Sequence, residues 1–324
     1  MRLKELGEFG LIDRIARRVQ NCPSVVLGIG DDAAALLPTP GTLTLITSDM
    51  LLEGVHFDLD FCDPQSLGRK SLAVNLSDLA AMGARPRQFL LSIALPKTIS
   101  LEFVDGFMAG ILEQAERFGV TLVGGDTCAS LGGLAISITA LGEQTPERVV
   151  KRSGAAPGDL VCLTGTVGDA SLGLNELRRG VRHSFLVERQ NDPTPRVAAG
   201  VALAEAGLAS AMIDVSDGVL GDLTHICELS GVGARLELAG LPLSEEYRAA
   251  CGADPYALAL SGGEDYELLF CIRKEKRGEV EELLEGLGLR FSVAGEIVAG
   301  NSVQMVAPGG ATYQPGKLGF DHFG

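Results

Sequence analysis

Gly28-Ile29-Gly30-Asp31-Asp32-Ala33 carries the spacing G-x-G-x-x-A at the end of the apolar run Ser24–Ile29. Asp49 follows about 20 residues on, the offset that a dinucleotide-binding unit uses. Such a unit needs a parallel crossover of a dozen or more residues, usually a full helix. Only Asp31–Thr42 intervenes before the next apolar run, Thr42–Thr47, and Pro38, Pro40 and Gly41 leave little room for a helix there. Two adjacent acids would also repel a bare pyrophosphate, whereas a bound cation would let them hold one. The stretch therefore predicts two antiparallel neighbouring strands joined by an acidic loop, in a mixed α/β (α+β) fold.

Outward from this stretch, helical and extended patterns alternate. Leu11, Ile12, Ile15, Ala16 and Val19 recur at helical spacing before Pro23. After Thr47 come a helix over 64–82, a strand over 88–95, a helix Leu101–Phe118 closed by Gly119, and strands over 120–123 and 133–141. The polar segment 142–158 holds Pro146, Pro157 and the bases Arg148, Lys151 and Arg152, and it suggests a boundary between domains 1–145 and 146–324. The second half predicts strands over 160–164, 211–213, 234–238, 257–260, 267–272 and 291–294, with helices over 169–179, 195–205, 218–229 and 274–287. The stretches 75–95 and 214–238 share an Asp, a Ser-Asp pair and a following strand, which suggests two similar α/β domains.

Acids recur at strand ends in this reading. Asp31-Asp32 follow 25–29, Ser48-Asp49 follow 43–47, Gly124-Gly125-Asp126 follow 120–123, Asp214-Val215-Ser216-Asp217-Gly218 follow 211–213, and Gly262-Gly263-Glu264-Asp265 follow 257–260. With Asp78 they would gather at one end of a sheet, and so many carboxylates share a cleft only when cations neutralise them. An oxygen-only set without a His/Cys constellation selects hard divalent ions, and magnesium usually arrives with phosphates. The pattern thus points to a magnesium-dependent enzyme acting on phosphorylated substrates. No G-x-x-x-x-G-K-[S/T] loop exists, since Gly68-Arg69-Lys70-Ser71 lacks the first glycine. Blander roles compete at every position: Gly-Gly pairs are mostly turns, Ser216 or Asp217 could be a helix cap, Arg152 a solvated linker, and His56 a partner of Phe57.

Composition agrees. The 324 residues are 46% hydrophobic, 5% aromatic and free of Trp, which describes an aliphatic α/β interior. The net charge of −15 argues against nucleic acid or an anionic membrane as partner. Seven scattered Cys without a C-x-x-C pair suit a reducing compartment. The charged opening 1–8 lacks the apolar run of a signal peptide, and no apolar stretch approaches about 18 residues, so a cytoplasmic protein is expected.

Taken in order, the segments 7–12, 30–33, 47–49, 54–57, 74–84, 124–127, 152–154, 214–218, 261–268 and the terminal Gly319-Phe320-Asp321-His322-Phe323 resemble the thiamine-monophosphate kinases, within the superfamily of aminoimidazole ribonucleotide synthetase. A selenophosphate synthetase would carry a reactive Cys in a glycine-rich N-terminal segment, and the hydrogenase-maturation relative ends in a functional Cys; neither feature is present. The aminoimidazole synthetase is the alternative, as is a non-catalytic binding protein, while the opening Gly7-Glu8-Phe9 and closing Phe320-Asp321-His322-Phe323 favour the kinase. The resemblance implies a homodimer whose N-terminal strands build a shared barrel, and direct transfer of the ATP γ-phosphoryl group to thiamine monophosphate. It implies magnesium, several ions of it, on Asp32, Thr47, Ser48, Asp49, Asp78, Asp126, Asp214 and Asp217. ATP would be held by Gly125, Asp126, Arg152 and Ser216, and the thiamine substrate by His56, Asp265 and Phe320.

Overall fold

The computed structural model describes residues 3–20 and 22–316. It comprises two compact units: one takes the chain up to Leu79 and again Arg85–Pro146, the other takes Ala80–Ala84 and the chain from Glu147 onward. The linear reading drew one cut and left no place for the excursion at 80–84.

The first unit opens with α1 (Leu3–Ala16), bent where Gly7 leaves helical geometry at φ 72°. The short β1 (Val25–Leu27) pairs antiparallel with the two-residue β2 (Ala35–Leu36), closing the acidic loop between them. The run that follows is β3 (Leu43–Leu52), and it is not the neighbour of β1, contrary to the sequence expectation. The unit continues with α2 (Pro64–Ala81), β4 (Arg85–Pro96), α3 (Leu101–Phe118), β5 (Thr121–Ser130) and β6 (Ala135–Gln144). β3 pairs along its full length with β6, from Leu43 opposite Gln144 to Leu52 opposite Ala135. The sheet order is β3-β6-β4-β5, with β4 and β5 parallel and the other pairs antiparallel.

Local chemistry sets the helices. Ser100 Oγ accepts from Phe103 N–H to start α3, and Gly119 at φ 65° stops it. α2 and α3 touch backbone to backbone: a Cβ at Gly68 would lie 2.1 Å from Phe107 O, and one at Gly110 would lie 1.9 Å from Gln65 O. Along β3 the pleat buries Leu45 and Leu51 and exposes Ile46, Met50 and Leu52. Ser48-Asp49 and Gly124-Gly125-Asp126 prove to lie inside ten-residue strands, not beyond their ends. Polar residues on a pleated strand interrupt the apolar signal without interrupting the hydrogen-bonded ladder.

The second unit contains β7 (Leu160–Thr164), α4 (Asp169–Arg178), α5 (Phe185–Asn191), α6 (Val197–Ala206), β8 (Ala209–Asp214), α7 (Val219–Ser230), β9 (Gly233–Glu237), α8 (Glu245–Ala250), α9 (Ala257–Ser261), β10 (Leu268–Ile272), α10 (Arg277–Glu285), β11 (Phe291–Val298) and β12 (Val303–Val306). Its sheet runs β12-β9-β11-β7-β10-β8, parallel only between β12 and β9. β7 and β10 are buried at every position, which their unbroken aliphatic runs require. Residues 257–260, expected as a strand, form α9; a short Ala-Leu run has no period that separates the two states, and both residues favour helix. The expected likeness of 75–95 to 214–238 does not extend to structure, because Asn75–Asp78 lie within α2 whereas Val215–Gly218 form the loop between β8 and α7.

Candidate active site

In the first unit, the pleat of β3 turns Thr47 and Asp49 toward α2. Thr47 Oγ1 donates a hydrogen bond to Asp78, and Asp49 N–H donates to Asn75 Oδ1 at 3.1 Å. Burial raises the Asp49 carboxyl to about 6, and the charge of Asp78 adds to the effect. Ser48 projects from the opposite side of the strand, 3.0 Å from Thr139 Oγ1. His56 lies in the turn after β3, where its Nδ1 accepts from Leu52 N–H at 3.0 Å.

A cleft of about 940 Å³ opens elsewhere in this unit. Phe9 and Ile12 of α1, Asp31 and Asp32 of the β1–β2 loop, and Gly125 and Asp126 of β5 contribute to its lining. Gly125 is required by geometry: its φ is 150°, and a Cβ there would sit 1.8 Å from Leu91 O on β4. The cleft thus pairs an apolar wall with acids and close-packed main chain, a combination suited to a nucleotide and its cation.

In the second unit, Asp214 ends β8 and is 2% exposed. Ser216 and Asp217 follow in the loop that leads to α7, whose N-cap is Gly218 at φ 109°. Asp222 in the first turn reaches back to the loop: its Oδ2 receives Asp217 N–H at 3.2 Å and Gly218 N–H at 3.1 Å. Burial, then the charges of Asp214 and Asp217, push the Asp222 carboxyl up to about 8. Arg152 is exposed on the strap whose Lys151 carbonyl accepts from Met212 N–H.

The segment before β10 is stitched to this acidic loop. Glu264 N–H donates to Ser216 O at 2.9 Å, Tyr266 N–H to Val215 O at 2.9 Å, and Val215 N–H to Glu267 O at 2.8 Å. Gly263 lies so close that a Cβ would be 2.1 Å from Ser216 O. Asp265 is 1% exposed, with both carboxylate oxygens engaged by Gly168 N–H and Ala170 N–H at the start of α4. Burial raises its carboxyl to about 7. Next to it, the Glu267 carboxylate is fully buried and accepts from Thr164 Oγ1, Arg189 and Arg196. Burial opposes its ionisation, but these donors hold it below the ordinary glutamate range.

The structure therefore brings together Thr47, Asp49 and Asp78 in one unit, and Asp214, Ser216 and Asp217 in the other. Asp32, Gly125 and Asp126 share the cleft of the first unit. Phe320 lies outside the described residues. Among the described residues no three His, Cys, Asp or Glu side chains by themselves form a metal cage. The donors present are carboxylates and hydroxyls, the set a hard divalent cation takes, and they fit magnesium in kind. Sequence reasoning missed Asp222, Asn75 and the buried Glu267–Arg189–Arg196 group. Asp222 had a usable signal: an acid in the first turn of a helix can reach back to the amide of the residue before it.

Both units match family models of AIR synthase related proteins, the N-terminal domain over residues 30–144 and the C-terminal domain over 156–307. A thiamine-monophosphate kinase of Salmonella typhimurium is 39% identical over 98% of each chain. The crystal structure of thiamine-monophosphate kinase from Stenotrophomonas maltophilia K279a superposes with a TM-score of 0.85 at 38% identity, covering 92% of this chain and 96% of that one. AaThiL complexed with AMPPCP and TMP superposes with a TM-score of 0.77 at 34% identity over 99% of each chain. The chain belongs to the thiamine-monophosphate kinase family of AIR synthase related proteins.

Proposed function

We propose that the chain transfers the γ-phosphoryl group of ATP to the phosphate of thiamine monophosphate, giving thiamine diphosphate and ADP. The observation that carries the chemistry is the Asp49–Asp78–Thr47 group, where burial, then the charge of Asp78, raise the Asp49 carboxyl to about 6, so that a bound cation would offset the cost of holding it ionised. The complex of AaThiL with AMPPCP and TMP supports the pair of substrates.

In this reading Asp32, Thr47, Ser48, Asp49, Asp78, Asp126, Asp214 and Asp217 hold magnesium, which supplies neutralisation of phosphate charge. The cleft lined by Gly125 and Asp126 receives ATP, with Ser216 and Arg152 as further contacts. Phosphoryl transfer demands positioning and electrostatics more than a covalent nucleophile, and the acceptor phosphate is already ionised at neutral pH, so no general base is assigned. By the family resemblance His56 and Phe320 contact the thiamine substrate; the resemblance assigns Asp265 there too, whereas both of its carboxylate oxygens are taken up by Gly168 N–H and Ala170 N–H. The protein is a cytoplasmic homodimer in which the exposed strand β3 helps to build a barrel shared between subunits. The apolar residues Ile46, Met50 and Leu52 on its open side support this, as do seven cysteines without a disulfide and a net charge that repels nucleic acid and anionic membranes. None of the described helices is long and apolar enough to cross a membrane.

Purified protein incubated with magnesium, ATP and thiamine monophosphate should yield thiamine diphosphate and ADP in equal amounts. Cyclisation of formylglycinamidine ribonucleotide with thiamine monophosphate left untouched would replace the kinase by the synthetase.

A further inference from the structure

Between α9 and β10 the backbone adopts a conformation that L-residues avoid. Glu264 (φ 69°) and Tyr266 (φ 52°) are the non-glycine residues with positive φ among the described residues, and they flank Asp265. Such geometry persists only where the surroundings over-determine it. Here two sets of bonds do so. The Asp265 carboxylate is fastened to Gly168 N–H and Ala170 N–H. Gly168, at the N-cap of α4, has no side chain of its own to serve those amides. On the other side, Glu264 and Tyr266 bond through their main-chain amides to Ser216 O and Val215 O, and the Glu264 carboxylate accepts from Gln190 Nε2. Val215 and Ser216 lie between Asp214 and Asp217. A rigid path therefore leads from the start of α4, through Asp265 and the strained turn, to the loop that carries two candidate magnesium ligands.

We infer that the Asp265 side chain is a positioning residue: it locks the Glu264–Tyr266 turn and thereby sets the main chain of the Asp214–Asp217 loop, and it does not itself bind the thiamine substrate. The inference rests on the kinase reading for its catalytic consequence, but its metal-binding consequence does not. A carboxamide at this position keeps the size and loses half the acceptor capacity, since one oxygen becomes an NH2 that faces a backbone N–H.

Asp265→Asn should lower kcat and weaken Mn2+ binding, measured by calorimetry on the full chain without nucleotide, each by about tenfold or more, as loss of a residue that orients ligands does. The KM for thiamine monophosphate should stay within about twofold of wild type, because uniform substrate binding is not what is lost. A selective rise in that KM with kcat and Mn2+ affinity unchanged would make Asp265 a direct substrate contact and overturn the inference. A lower melting temperature with both parameters unchanged would overturn it too, leaving only a structural role. If Asp265→Asn does not fold, Gln190→Leu decides, because it removes the support of Glu264 on the same turn. That variant should move kcat and Mn2+ affinity in the same direction by a smaller factor, and no change in either would contradict the inference. Failure of the wild-type protein to make thiamine diphosphate would sink the kinase reading alone, since the Mn2+ titration still reports on the loop.

Discussion

Asp222 Oδ2, a buried acid in the first turn of α7, reaches back to accept the main-chain N–H of the N-cap residue Gly218 at 3.1 Å. This bond is made next to Asp214 and Asp217, and the folded protein keeps a proton on Asp222 up to about pH 8. In the unfolded chain the same group releases its proton near about 3.9. Between those values the folded state binds more protons, so stability falls as pH rises through the window and levels off above it. The metal-free melting temperature should therefore drop between about pH 5 and about pH 9, and should drop less in Asp222→Asn, which keeps one acceptor and loses the ionisation. An equal drop in both proteins would remove Asp222 as the cause.

Protons should compete with magnesium in the first unit. The Asp49 carboxyl titrates near 6 because it is buried and faces Asp78, and a cation requires it ionised. Below about pH 6 the half-saturating magnesium concentration should climb by up to about tenfold per pH unit, and above it should flatten. Titrations of activity with magnesium at a series of pH values check this, and a flat profile across the acid range would contradict it.

Gly125 is held by contact with Leu91 O, where a Cβ would approach to 1.8 Å. Gly125→Ala should cost about 1–3 kcal/mol of stability, the scale of a forced backbone shift. Because Gly125 also lines the cleft, the KM for ATP should rise with it. Chemical unfolding and steady-state kinetics measure the two effects, and a variant with wild-type values for both would show that the strand can relax at no cost.

The open side of β3 should matter for assembly. Light scattering of the wild-type protein at micromolar concentration should give a dimeric mass, and Ile46→Glu or Met50→Glu should shift it toward monomer. A monomeric wild type that retains activity would contradict the dimer.

Much of this architecture is legible in the chain. Leu101–Phe118 shows its apolar face and its terminal glycine, and α3 has those bounds. The largely aliphatic runs over 160–164 and 267–272 mark β7 and β10, two neighbouring interior strands of the second sheet. What escaped depends on distant partners. β3 pairs with β6 some ninety residues away, and nothing in Thr42–Thr47 names that partner over β1. Asp49 and Asp126 look like strand ends because polar residues break an apolar run, yet the ladder continues through them. Among the candidate site residues, chemistry was readable one by one, whereas the use of Asp265 as a cap for α4 requires knowing that residues 97 positions apart meet.

The magnesium-dependent kinase reading rests on Asp49 in the first unit and Asp217 in the second as candidate magnesium ligands. Its most direct test is the rate of thiamine diphosphate formation by Asp49→Asn and Asp217→Asn at saturating magnesium and ATP. Each should fall by at least about a hundredfold, the scale seen when a key electrostatic stabiliser is removed. Near-normal turnover in both variants would contradict the account.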